Sequence, residues 1–163
     1  FGSEHPLAGF DLQHEIEHKA FIEGGSDYSA PAQLVGDFLN NKPSTAFGDI
    51  EPTCPTGVKL GDIRKTLPKK VTDIMADALV KMGTQLKGFD RPDAVLTAPE
   101  TRSSSPVRIL RDEYYQSVSL RGLYPCGEGA GYAGGIVSSA VDGMRCANAV
   151  LSGEYLNWFT TKN

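Results

Sequence analysis

Gly127-Glu128-Gly129-Ala130-Gly131-Tyr132-Ala133-Gly134-Gly135-Ile136 is the stretch on which the placing of this chain turns. Gly129 to Gly134 fits G-x-G-x-x-G, the loop that opens a helix in dinucleotide-binding folds. Leu123-Tyr124-Pro125-Cys126 before it is a candidate strand, which Pro125 confines to an edge or an end. After it, from about Ala133 to Ser152, a helix is expected. Ile136, Ala140, Met144, Ala147 and Leu151 mark its buried face, and Gly153 ends it. An adenine-binding Rossmann unit would continue into a second strand ending in an acid. Only eleven residues follow Ser152, and Glu154 precedes the last apolar stretch, Tyr155 to Phe159. The loop is therefore not expected to be that turn. Two readings remain, on equal footing. Gly134-Gly135 can leave helix-start N–H groups open to an anion or a polar ring edge, with Glu128 placed to bond a chain of hydroxyls. Alternatively, the glycines make a tight turn that lets helix and strand pack closely.

Upstream, Glu100 to Arg108 is a hydroxyl-rich turn between two expected strands, Ala94–Thr97 and Pro106–Arg111. Its guanidinium groups, Arg102 and Arg108, suit two-pronged binding of a carboxylate or phosphate. The plainer alternative is a polar loop with surface arginines. The N-terminal part reads as helical. Gly9 to Glu23 carries Leu12, Ile16 and Ala20 on one face, with Asp11 as N-cap and Gly24-Gly25 as stop. Pro31 suits the first turn of a second helix bearing Leu34, Val35, Phe38 and Leu39. Asn40 to Gly57 is turn-rich and reads as a long connection. Short helical turns follow at Leu60 to Leu67, capped at Gly61-Asp62. Pro68 then opens a helix to about Met82, with Val71, Ile74, Met75, Ala78, Leu79 and Met82 inward and Gly83 or Gly88 as stop. The order expected is helices, then strands, then the glycine-opened helix.

His14-Glu15-Ile16-Glu17-His18 matches H-E-x-x-H, in which two imidazoles one turn apart hold zinc and the glutamate serves as base. Glu17 and Lys19 charge the helix, however, and no histidine follows His18 to act as third ligand. A solvated helix accounts for the same residues. Cys54, Cys126 and Cys146 are odd in number and far apart, which indicates free thiols in a reducing compartment. Cys126 and Cys146 lack C-x-x-C spacing and are expected to be buried and inert. Tyr155 and Trp158 are expected to pack the C-terminus.

The chain has 163 residues, a size for one domain or one domain and part of another. Apolar residues at 40% and charged residues at 22% are ordinary for a folded protein. Sixteen Lys plus Arg against 20 Asp plus Glu argue against a nucleic-acid partner. No apolar run reaches the ~20 residues of a membrane span.

Taken together, Glu100 to Ile109, Gly122 to Ile136 and Ala140-Val141-Asp142-Gly143 resemble the C-terminal end of the bacterial FAD-dependent (NAD(FAD)-utilising) dehydrogenases. The resemblance extends through Ala30 to Leu39 and His5-Pro6-Leu7-Ala8-Gly9, and so covers nearly the whole chain. It implies the C-terminal portion of a longer cytoplasmic oxidoreductase, whose N-terminal nucleotide-binding half is the missing partner. It also explains an opening, Phe1-Gly2-Ser3, without methionine. The implied fold is α+β. Residues 1–90 would be a helix-rich part of an inserted cap or substrate domain. Residues 91–163 would supply short strands and the glycine-opened helix of an incomplete FAD/NAD(P)-binding fold. By the same resemblance Gly127, Glu128, Gly129, Gly134, Gly135 and Ile136 contact FAD, with Glu128 at the ribityl chain and the helix start at the flavin's pyrimidine edge. Arg102 and Arg108 then lie near the flavin, where a small anionic substrate would be held. No residue stands out as the catalytic acid or base. A non-catalytic cap or assembly module and a zinc hydrolase using His14, Glu15 and His18 are the competing functions.

Overall fold

The computed structural model describes residues 4–153. Over these residues the fold is α+β, with four α-helices and one three-stranded sheet. It divides into two compact units, and the division falls inside α1 (Ala8–Glu23). Leu12–Thr101 forms one unit; residues up to Asp11 and from Arg102 onward form the other.

The Leu12–Thr101 unit is built on β1 (Ala30–Leu34), which lies between β2 (Val58–Leu60) and β3 (Val95–Thr97). β1 runs parallel to β2, with Ala30 opposite Val58, and antiparallel to β3, with Gln33 opposite Leu96. Pro31 therefore sits in the central strand, not at the start of a helix as its position suggested. Ala30 donates to the Gly57 carbonyl, so the next residue turns its nitrogen away from β2. On that other side the β3 register begins only at Ala32, and the ladder loses nothing through proline's missing N–H. α2 (Val35–Leu39) follows directly and is only five residues long.

The core of this unit contains Ala32, Val35, Phe38 and Ile63. Gln33 is fully buried among them and spends both ends of its amide on backbone: Nε2 donates to the Lys42 carbonyl (2.8 Å) and Oε1 accepts from Ile63 N–H (2.9 Å). Ser44 accepts from Leu34 N–H and donates to Asp37, whose carboxyl that bond holds below the usual range. These bonds order the long connection, which has neither helix nor strand, as its turn residues indicated. The short 3-10 turn Ile63–Lys65 is capped by Asp62, which accepts from Arg64 N–H at 3.1 Å. Arg64 lies 4.2 Å over the Phe38 ring and donates to the Phe38 carbonyl.

α3 (Lys69–Gln85) starts behind Pro68 as expected and runs through Gly83. Its buried face differs from the expected one. Thr72 is its one buried residue, Met75 and Leu79 are half-buried, and Val71, Ile74, Ala78 and Met82 are exposed. In α1 the expected Ile16 and Ala20 are buried; the helix starts at Ala8, so Asp11 lies within its first turn and is not the N-cap.

In the other unit two expected strands are absent. Pro106–Arg111 and Leu123–Cys126 are irregular, with one isolated bridge between Arg111 and Ser117. The sheet strands come from residues 30–97, interleaved with helices, so the expected order of helices before strands does not hold. α4 (Ile136–Ser152) begins three residues later than expected, with Gly135 as N-cap and Gly153 in the left-handed region as its stop. Its buried residues are Asp142, Cys146 and Ala149, on the side opposite to the expected apolar face. Phe1 to Ser3, Glu154 and the Tyr155–Phe159 stretch, for which the sequence raised expectations, lie outside the described residues. Among the described residues no helix is long and apolar enough to cross a membrane.

Candidate functional site

The glycine segment is fixed in place by an ion pair that the sequence did not single out. Arg111 and Asp142 meet in a two-pronged bridge, Nη1 to Oδ2 at 2.9 Å and Nη2 to Oδ1 at 2.7 Å. Both side chains are about 10% exposed. Asp142 Oδ2 also accepts from Gly127 N–H at 2.9 Å, and Arg111 Nη1 donates to the Pro125 carbonyl at 2.8 Å. The guanidinium lies 3.6 Å from the centre of the Tyr132 ring and 4.6 Å from that of Tyr115. One buried pair thus holds both ends of the Pro125–Tyr132 segment against α4. The Arg111 bonds, and then the Gly127 N–H, hold the Asp142 carboxyl below its ordinary value. Cys146 Sγ stands 3.3 Å from Arg111 Nη1; the thiol is buried as expected, and burial pushes its pKa up. Cys126 is exposed, contrary to expectation.

The glycines then separate into two kinds. Gly127 and Gly131 have φ of +69° and +80°, where side chains are disfavoured. A Cβ on Gly131 would lie 2.4 Å from the Val107 carbonyl oxygen. These two belong to the tight-turn reading. Gly129, Gly134 and Gly135 do not. None has a positive φ, and Gly135 is extended at −150°. A Cβ would meet nothing within 4 Å at Gly129, and only ordinary contacts at 3.6 and 3.4 Å at Gly134 and Gly135. Nothing in the described residues requires glycine at these three positions. They leave an open surface at the start of α4.

That surface carries unused donors. The N–H groups of Gly134, Ile136 and Val137 have no partner among the described residues, whereas Gly135 N–H is taken by Ser138 Oγ at 3.2 Å. The Gly134 end borders an open cavity of about 310 Å³, whose walls include Ser104, Ser105, Arg108 and Tyr132. Two predicted segments, the arginine-serine turn and the glycine loop, therefore meet here. Arg108 Nε donates to the Gly131 carbonyl at 2.9 Å and the guanidinium lies 5.0 Å from the Tyr132 ring centre. It has no carboxylate partner among the described residues. Glu128 is half-buried and its carboxylate has none either. Ser139 Oγ, buried near Gly127, makes no hydrogen bond among the described residues. Arg102 is exposed and does not line the cavity.

The histidine motif is placed differently. His14, Glu15 and His18 are exposed on α1, and Glu15 forms an ion pair with Lys19. No group of three possible metal ligands occurs among the described residues.

A protein of Clostridium beijerinckii (strain ATCC 51743 / NCIMB 8052), described only as uncharacterized, is 41% identical over 151 residues. That match takes in 93% of this chain, so it includes the glycine segment, but the chain spans only 28% of that relative's length. A family match covers residues 1–103, the whole of the Leu12–Thr101 unit, and ends before Gly127. With that match over more than half its length, the chain belongs to the family described as FAD-dependent protein, C-terminal domain-like.

Proposed function

We propose that this chain is the C-terminal part of a cytoplasmic FAD-dependent oxidoreductase, in which the Gly127–Ile136 segment borders the flavin and the Leu12–Thr101 unit contributes to the substrate side. The observation that carries the reading is the set of three glycines, Gly129, Gly134 and Gly135, that nothing among the described residues requires. Glycine at a helix start without internal need suits close approach of a ligand to backbone. The N–H groups of Gly134, Ile136 and Val137 and the Glu128 carboxylate, all without a partner among the described residues, agree with it. Membership of an FAD-dependent family supports FAD as the cofactor of the longer protein.

Bound FAD would supply hydride acceptance and donation. The chain's own residues do the rest. The α4 N-terminus presents N–H donors and the positive end of a helix dipole, which favours negative charge on a ring edge. Glu128 accepts hydrogen bonds from hydroxyl groups. Arg108, already tied to the Gly131 carbonyl, offers its remaining N–H groups to a small anionic substrate in the cavity beside it. Arg111 and Asp142 touch no ligand in this scheme; they hold the loop.

The intact polypeptide with Gly134→Val tests this against its packing rival. The expected result is loss of bound flavin, with the flavin-free forms of the native and variant proteins equal in thermal stability within about 0.5 kcal/mol. Gly131→Ala is the contrast, because its Cβ strikes backbone and its φ is left-handed. It should destabilise by about 1–3 kcal/mol. Gly134→Val that destabilises the flavin-free protein as much as Gly131→Ala would return all the glycines to packing.

A further inference from the structure

α4 faces the wrong way for a helix of a complete protein. Its inward side carries Asp142, Cys146, Ala149 and the Ser139 hydroxyl. At 100° per residue, Ile136, Val137, Ala140, Met144, Ala147 and Leu151 fall in one sector of the opposite side. That sector contains no polar side chain, and all six residues are exposed. Ile136 is 92% exposed, Leu151 84%, Val137 76% and Met144 66%. A stripe about 25 Å long, the length of a 17-residue helix, is more contiguous apolar surface than water is usually shown.

From this we infer that the apolar face of α4 is the seat of the remainder of the same polypeptide, the part that the relative carries beyond the 28% matched here. The inference rests on the reading above only in taking the chain as one part of a longer protein. Three observations favour this occupant over others. The relative has nearly three-quarters of its length elsewhere, ample to cover the helix. The face is continuous with the open glycine surface, since Ile136 follows Gly135 directly, so one body can meet both. The sector is wholly apolar with the small side chains Ala140 and Ala147 between bulky ones. That is the composition of a permanent core contact and not of a transient, charge-rimmed interface.

Hydroxyl-radical footprinting of the unmodified intact polypeptide, with Met144 oxidation read by mass spectrometry, tests this without a substitution. The expected result is Met144 oxidised roughly tenfold or more slowly than in the denatured chain, at every concentration down to one where the protein sediments as a monomer. Oxidation as fast as in the denatured chain would overturn the inference. Protection that vanishes on dilution would assign the face to a second copy, and protection lost when the chain is ended at Gly153 would assign it to its own last residues; either overturns it. Flavin content in the same sample separates the two readings. A colourless protein with protected Met144 keeps this inference and removes the flavin, and a yellow protein with reactive Met144 does the reverse.

Discussion

At the scale of single residues, Asp142 does the most with the least surface. It neutralises Arg111, accepts the Gly127 N–H and sits on α4, so one carboxylate joins loop to helix. Removing one partner of a buried pair leaves an uncompensated charge and costs about 3–5 kcal/mol. Asp142→Asn should therefore speed local opening of residues 125–132 by about 100-fold or more, read by amide hydrogen exchange in the intact polypeptide at pH 7. The sign of the pH dependence follows from a carboxyl held below its ordinary value of 3.8. The pair's contribution is present above the unfolded value, about 3.9, and is lost as pH falls through the lower folded one. The difference between native and variant should thus shrink below about pH 4. Equal exchange at pH 7 would contradict this account. Arg111 left one trace in the sequence, as the second arginine of the stretch Pro106 to Arg111, right after Ile109-Leu110. Arg108 was legible as a candidate anion-binding group because it is a guanidinium at the end of a hydroxyl-rich turn. Arg102 had the same appearance, and only the course of the chain separates the two.

At the scale of elements, the central strand depends on a polar residue. Gln33 is fully buried and satisfies Ile63 N–H and the Lys42 carbonyl. Gln33→Leu keeps the volume and strands both groups. The Lys42 side can reach water, but the Ile63 N–H cannot, and an orphaned buried donor costs about 1–3 kcal/mol. The variant should melt earlier and be cut by protease within residues 41–57; unchanged cleavage would count against the role given to Gln33. The sequence Ala30-Pro31-Ala32-Gln33-Leu34 hid this strand well. It has no β-branched or aromatic residue, and its proline imitates a helix start. The reason it works lies in the neighbouring register, which is a property of the sheet. α3 and α4 show the converse. Pro68, Gly135 and Gly153 made their ends nearly legible, because caps are local chemistry. Which side faces inward was not legible, because periodicity locates an apolar stripe without saying whether the chain itself covers it.

On the scale of the whole molecule, the outward apolar face of α4 and the 28% span of the relative both support the proposal that this chain is one part of a longer polypeptide. A family resemblance was legible because the glycine segment is long and particular. The meeting of that segment with the arginine-serine turn needed the fold, since Ser104 and Gly134 are brought to one cavity by irregular chain between them. The central claim is that the glycine-opened end of α4 borders FAD in the complete protein. The most direct measurement is the visible spectrum and flavin stoichiometry of the intact polypeptide as purified. An oxidised-flavin band at about one FAD per chain is predicted. A colourless protein that stays colourless after incubation with FAD would contradict the account.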